Sequence, residues 1–389
     1  MTTPLSILIP DGEHELSLRV LRCLAHAPQV KVTVLSRDKW APIRASCHHR
    51  GFIHHTVDTF DDKRVEAICD AAKKAKADII LPAALPCTRL VAEYSQELSK
   101  ASSLPPLASK DLIDTFSDKW HFTQLLREIG VPHPKSAETT EVDFTRSDDG
   151  TLRFPVMVKA RNLSSGDGIR ICRDTQELRS FLDAQEKPDD FIMQEFITGP
   201  DISSSILAED GRILAQTTQL EIIPSFKPFK SPAAVQFIYK DEVRDMIQHL
   251  VRVTGWSGIC NFDFVYDEER KEPKLLEANP RYWRSVLGSL VAGVNFPHLA
   301  CRTSKGESYP LPTYREVKYS KPDRGLGLLA RGMIGSKQKI SRLDETGIPF
   351  ILKDPLPDLL IQTTKVFQRL SPGGERRASI RQRANLRAG

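Results

Sequence analysis

The sequence predicts an α/β protein whose middle region is α+β in character, and three observations carry that prediction. Strand-like and helix-like segments alternate through residues 1–108, as in a parallel sheet with crossover helices. A proline-rich connector, "SSLPPLAS" (Ser102–Ser109), closes this region. Beyond it, strands follow one another through hairpin signals at Asp210-Gly211 and in the charged run around Glu268, the pattern of an antiparallel sheet.

The elements follow in order. "LSILIPD" (Leu5–Asp11) is a continuous apolar run suited to a buried strand, and "HELSLRVLRCLAHA" repeats Leu16, Val20, Leu21 and Leu24 at helical spacing. "KVTVLS" and "GFIHHTVD" read as two further strands, "KRVEAICDAAKKAKA" as a helix and "DIILPAA" as a fourth strand. A dinucleotide site would place Gly-x-Gly-x-x-Gly after the first strand. The turn there is "PDGEHE", with one glycine, so no nucleotide site is expected in it.

After the connector, Ser117 or Asp118 caps a helix that runs to Gly130, and "VPHP" forces an extended exit. "FPVMVKARNLSSGDGIRICRD" reads as strand, Gly/Ser turn and strand. "DFIMQEFITGPDISSSILAEDGRILAQTTQ" continues with strands broken at Gly199-Pro200, and "GICNFDFVYDEERKEPKLLEANPR" is a hairpin. From about Tyr309 the pattern weakens. The divisions expected are therefore 1–108, 109–195, 196–308, an extension over 309–370 and a basic, disordered tail over 371–389.

Composition excludes some functions. The formal charge is +5 over 389 residues, and part of it lies in the arginine-rich tail, so no broad nucleic-acid-binding surface is indicated. Seven cysteines lie scattered without a Cys-x-x-Cys pair, as in a reduced intracellular protein. No signal-peptide layout and no membrane-length apolar run is present, so a soluble cytoplasmic protein without a membrane partner is expected. Cys47 to His55, "CHHRGFIHH", holds two adjacent histidine pairs, whose members point to opposite faces of a strand. Neither pair has ligand spacing, so zinc is not expected there. "RRAS" (Arg376–Ser379) has the look of a basic phosphorylation motif and stays unassigned.

The most specific stretch is "KLLEANPRYWRSV" (Lys274–Val286). Glu277, Asn279 and Arg281 alternate, so along a strand they project to one face. Asp263 lies on the partner strand of the same hairpin. Asp263, Glu277 and Asn279 together make an all-oxygen donor set suited to Mg²⁺, unless Asp263 and Glu277 only cap or solvate the hairpin. Upstream, Lys159 follows three apolar residues on a strand, where a lysine is costly to bury without an anion. Ser164, Ser165, Gly166, Asp167 and Gly168 follow, and such turns expose N–H groups to phosphate oxygens. A Walker A loop is absent.

In this order, "DK" at Asp118-Lys119, "PVMVKA" with "SSGDG", "MQEFITGPDIS", "CNFDF" and "LLEANPR" resemble the ATP-grasp superfamily, from about Asp118 to Arg302. The resemblance implies a Rossmann-like preceding domain and a two-lobed grasp holding ATP and Mg²⁺, with Mn²⁺ as a substitute. It implies phosphate contacts from Lys119 and Lys159 and a closing loop at Ser164, Ser165, Gly166 and Gly168. It places adenine against the backbone of Glu195 and Ile197, and ribose against Asp201, which is shorter than the usual glutamate. Asp263, Glu277 and Asn279 match the metal ligands, and Arg281 the catalytic arginine beside the reacting carboxylate or acyl phosphate.

"NPRYWRSVLGSLVAGVNFPHL" is similar, more narrowly, to a group of predicted ATP-dependent carboxylate–amine ligases. That implies small-molecule carboxylate and amine substrates, an acyl-phosphate intermediate, release of ADP and phosphate, and often a homodimer. Tyr282, Trp283 and Arg284 stand between an acceptor pocket and ordinary packing. Lys227 and Lys230, in "IIPSFKPFKSP", read as part of a solvated loop. Two rivals are a non-catalytic ATP sensor or scaffold and a carboxylase working through carboxyphosphate. No biotin-accepting Met-Lys-Met is present in the chain.

Overall fold

The computed structural model describes residues 4–139, 146–147, 150–163, 168–225, 228–333, 340 and 342–370. Four strands, β1 (Leu5–Ile9), β2 (Val30–Ser36), β3 (Gly51–His54) and β4 (Ile79–Ile80), form a parallel sheet in the order β3-β2-β1-β4. The helix Glu15–Leu24 buries Leu16, Val20, Leu21 and Leu24, the stripe its sequence spacing predicts. His14 caps it, Nδ1 accepting from the Leu16 N–H at 3.2 Å.

Two antiparallel sheets follow. One holds β5 (Ser136–Glu138), β8 (Val156–Ala160), β9 (Ile169–Cys172) and β10 (Phe191–Glu195) in the order β5-β10-β8-β9. Between β5 and β8, β6 (Arg146–Ser147) and β7 (Gly150–Thr151) pair with each other. Val156, Val158 and Met193 turn to the helix Thr175–Asp183 and its Leu178 and Leu182. By strand parity, Lys159 and Gln194 turn to the opposite face.

The larger sheet has six strands: β11 (Asp201–Glu209), β12 (Arg212–Ile223), β13 (Ala234–Ile238), β14 (Gly258–Asp267), β15 (Glu272–Asn279) and β16 (Lys318–Ser320). Their order is β15-β14-β11-β12-β13-β16. On one face Ile202, Ile206, Phe262, Phe264 and Leu275 pack against the helices Lys110–Ser117, Lys119–Glu128 and Asp241–Thr254. Phe262 is fully buried, and truncating such a ring to alanine costs about 3–5 kcal/mol. On the other face Leu207, Ala215, Val235 and Phe237 join the core of the parallel-sheet region through the helices Val286–Ala292 and Phe296–Ser304. That contact covers one end of the face and leaves a polar remainder.

The weakly patterned C-terminal region is built into this frame. β16 adds the last strand of the large sheet, and Ser320 bridges to Thr346. At the junction before the helix Leu356–Leu370, Asp354 meets Arg22 of the first helix, with Nε 3.3 Å from Oδ2. Both are almost fully buried and Arg22 also pairs with Asp358, so removing Arg22 leaves the Asp354 charge without its counter-ion at a cost of about 3–5 kcal/mol.

Candidate active site

Strand register gathers the polar face. On β14 and β15, Asp263 stands opposite Glu277 and Asn261 opposite Asn279. On β11, Ser203 stands opposite Asp263 and Ser205 opposite Asn261. Two cross-strand rows result, Ser203–Asp263–Glu277 and Ser205–Asn261–Asn279. A bulge between Asp263 and Phe264 makes this arrangement compatible with the core. Leu276 is the extra residue, so Leu275 pairs with Phe264 in the core while Glu277 turns to the site.

Hydrogen bonds lock the rows. The Ser203 hydroxyl donates to Asp263, and Asn261 Nδ2 donates to Asp263 Oδ1 at 3.1 Å. Asn279 Nδ2 donates to Asp263 Oδ2 at 3.1 Å and to Glu277 Oε1 at 3.3 Å. Arg281 donates to Asn279 Oδ1 at 2.9 Å and to the Tyr282 carbonyl at 3.0 Å, so its guanidinium is held beside the amide. Burial, then the neighbouring Glu277, pushes the Asp263 carboxyl up to about 7. Burial acts on Glu277 too, but Lys119 and Lys159 hold it below the usual carboxylate range.

The two lysines reach this face from the helix Lys119–Glu128 and from β8 of the smaller sheet. Asp118 caps the helix Lys119–Glu128, its carboxylate accepting from the Trp120 and His121 N–H groups at 2.9 Å each. Arg161 braces that cap, with Nε 3.1 Å from Asp118 Oδ2. Lys119 Nζ then lies 3.5 Å from Glu277 Oε2. Lys159 donates to Gln194 Oε1 at 2.6 Å, and Gln194 in turn donates to the Ser136 hydroxyl at 3.1 Å. Burial lowers Lys159 to about 8, against the pull of Glu277, Asp201 and Asp263.

The remaining expected residues fall around this centre. Glu195 ends β10, donating its N–H to the Lys135 carbonyl at 2.8 Å, with its carboxylate 3.1 Å from Arg270. Ile197 follows in the link to β11. Asp201 opens β11 at an exposed position, beside Glu221 on β12. Burial and Asp201 push Glu221 up to about 7. Gly168 adopts φ +69°, and a Cβ there would meet the Ala160 Cβ at 2.9 Å. Ser164, Ser165 and Gly166 lie outside the described residues, as do Lys227 and the tail 371–389.

Tyr282 and Trp283 are core residues, 2% and 3% exposed in the cluster shared with the first helix. Arg284 instead pairs with Glu15 at 2.7 Å, which brings the start of the helix Glu15–Leu24 to the arginine side of the site. Sequence reading missed Gln194, Ser203, Ser205 and Asn261. Asn261 carried a usable signal, since it shares the parity of Asp263 and Asn279.

The ATP-grasp domain family matches residues 116–285. These residues are an ATP-grasp domain. The arginine-specific carbamoyl phosphate synthase large chain of Bacillus subtilis is 26% identical over 224 residues, 55% of this chain and 21% of that one. The chain spans between 10% and 53% of the length of the first curated relatives it matches. The fold is shared with N5-carboxyaminoimidazole synthetase from Staphylococcus aureus, complexed with ADP: 17% identity, TM-score 0.67, 86% of this chain and 87% of that one. It is shared also with an L-amino acid ligase from Bacillus licheniformis: 16% identity, TM-score 0.58, 78% and 74% covered. Among the described residues no helix is long and apolar enough to cross a membrane.

Proposed function

We propose that the protein is an ATP-dependent carboxylate–amine ligase working through an acyl phosphate. The observation that carries this reading is the meeting of Asp263, Glu277 and Asn279 with Lys119 and Arg281 on one face. Two facing carboxylates, one with a raised pKa, form a donor set that a divalent cation relieves, and their oxygens suit Mg²⁺. When bound, the cation neutralises the oxygens of the transferred phosphate. Asn279 orients both carboxylates and Arg281. Lys119 and Lys159 supply positive charge for ATP phosphates, with Gln194 fixing the Lys159 amine.

In the reaction proposed, a substrate carboxylate oxygen attacks the γ-phosphorus and ADP leaves. The amine nitrogen then attacks the acyl carbon, phosphate leaves, and the amine proton passes to solvent. Arg281 steadies the charge that develops on the reacting carboxylate. The protein's contribution is position and charge, with no nucleophile of its own. We assign adenine to Glu195 and Ile197, ribose to Asp201, and the phosphate lid to Ser164, Ser165, Gly166 and Gly168. The lobes would divide at 109–195 and 196–308. The fold shared with an amino acid ligase supports this reading.

A second reading, a carboxylase forming carboxyphosphate from bicarbonate, is favoured by the carbamoyl phosphate synthase likeness. Hydroxylamine trapping separates the two. The purified protein is incubated with Mg-ATP and pools of small carboxylates, and hydroxamate and ADP are read together. One pool giving both, and neither with Glu277→Gln, supports the ligase. ADP formation that depends on bicarbonate alone transfers the assignment to the carboxylase.

A further inference from the structure

The histidine-rich segment finds a third partner at the far end of the chain. The turn Pro42–Ala45 ends at Ser46, and Cys47 and His48 then lie against Lys353 and Asp354. The Cys47 sulfur lies 3.8 Å from His48 Nδ1, and a ligand atom from each of Cys47, His48 and Asp354 lies within 4.8 Å of the others. Among the described residues this is the one cluster of three or more His, Cys, Asp or Glu groups with such geometry.

We propose that Cys47, His48 and Asp354 form a zinc site that ties the loop after β2 to the C-terminal helices. Zinc–sulfur and zinc–nitrogen bonds of about 2.3 and 2.0–2.1 Å at a tetrahedral angle set the two ligands about 3.6 Å apart. The observed 3.8 Å is close to that edge. Thiolate, imidazole and carboxylate together select zinc over the hard cations, and three ligands leave the fourth position to water.

The carboxylate is already positioned. Asp354 Oδ1 accepts from the Cys47 N–H at 2.9 Å, and Oδ2 accepts from the Ser46 hydroxyl at 2.8 Å and from Arg22. Such outer partners orient a ligand before the metal arrives. Asp354 is 1% exposed while Cys47 is exposed, so the ion has an inner anchor and an open approach. Binding exchanges the thiol proton for Zn²⁺ and releases that proton to solvent.

The test uses the full chain, stripped of metal and titrated with Co²⁺. One equivalent should bind with a near-ultraviolet sulfur-to-cobalt band and tetrahedral visible bands, all displaced by Zn²⁺. Cys47→Ser should remove the sulfur band, and His48→Ala should weaken binding by about tenfold or more. Zn²⁺ should also slow alkylation of Cys47 in the unmodified chain by at least about tenfold, read by peptide mass spectrometry, while Cys69 reacts unchanged. This second readout needs no variant, so a folding defect cannot obscure it. Absence of a 1:1 cobalt complex, a sulfur band that survives Cys47→Ser, or Cys47 alkylation unaffected by Zn²⁺ overturns the proposal.

Discussion

Asp263 and Glu277 stand directly opposite each other on adjacent strands, two half-buried carboxylates joined through the amide of Asn279. Like charges opposed across a sheet are destabilising, and here burial adds to the cost. The folded-state pKa of Asp263, about 7, exceeds its unfolded value, so the native state binds the extra proton between roughly pH 4 and 7. Stability contributed by that proton is full at low pH and is lost as pH rises through 7. The metal-free protein should therefore lose melting temperature across this window more steeply than Glu277→Gln does. Magnesium should flatten the wild-type curve and leave the variant's unchanged. Scanning calorimetry from pH 4 to 8 with and without Mg²⁺ decides it, and identical curves for the two proteins would sink the idea.

The buried Lys159–Gln194 pair predicts a pH dependence of nucleotide binding rather than of stability. Lys159 is protonated below about pH 8 in the free protein and loses its charge above it. Nucleotide binding should weaken as pH rises past 8, by about tenfold per unit if one protonated amine is required. Lys159→Met should bind weakly at every pH, with no such slope. Gln194→Leu leaves the amine without its acceptor and should weaken ADP binding while keeping the slope. Fluorescence titration with a labelled ADP between pH 6.5 and 9.5 reads all three.

Asp201 and Glu221 lie next to the Ile202–Leu220 pair of β11 and β12, near enough for Asp201 to raise the Glu221 carboxyl. Asp201→Ala should raise the KM for ATP by about 10–100-fold, the loss of hydrogen bonds to a charged group, with kcat nearly unchanged. Discrimination between ATP and 2′-deoxy-ATP should disappear with it. A variant that still discriminates moves the ribose contact elsewhere, with Glu221 the first alternative.

How much of this was legible depends on how local each signal is. The alternation of Glu277 and Asn279 before Pro280 could be read because period and chemistry coincide within a few residues. The run "ISSSI" could not assign Ser203 and Ser205 to the site, since Ser204 between them is buried too, and only register separates them. The bulge at Leu276 leaves no mark in composition, although it lets Leu275 serve the core and Glu277 the site. Tyr282 and Trp283 looked equally suited to a pocket and to packing, and three-dimensional context decided for packing. The Asp354 contacts with Arg22, Ser46 and Cys47 join segments about three hundred residues apart, beyond any periodicity argument.

Gly199 tests the link between β10 and β11. A Cβ at this position would lie 1.8 Å from the Tyr266 carbonyl oxygen, a backbone atom that cannot swing aside. The close approach is held by the Tyr266 N–H, which donates to the Pro200 carbonyl at 3.0 Å. Gly199→Ala should destabilise the protein by about 2–4 kcal/mol, since the strand must move. The denaturation midpoint should fall accordingly, whereas Gly130→Ala, with nothing near its Cβ and φ +70°, should cost only about 1 kcal/mol of backbone strain. Equal costs at the two positions would show that the contact at Tyr266 relaxes freely.

Arg281 is the residue on which binding and chemistry should separate. Its guanidinium is fixed by Asn279 Oδ1 and the Tyr282 carbonyl, so it is set before substrate arrives. Nucleotide phosphates are assigned to Lys119 and Lys159, and loss of Arg281 should therefore leave the Kd for ADP within about twofold. Turnover should fall by about 10²–10³, the loss seen when one preorganised donor to a developing oxyanion is removed. Arg281→Lys should recover little, because a single ammonium cannot keep both anchors and still face the substrate. Isothermal titration with ADP beside steady-state ADP release checks both halves. A variant that loses ADP affinity and turnover together would place Arg281 with the phosphates, and the carboxylate would need another cation.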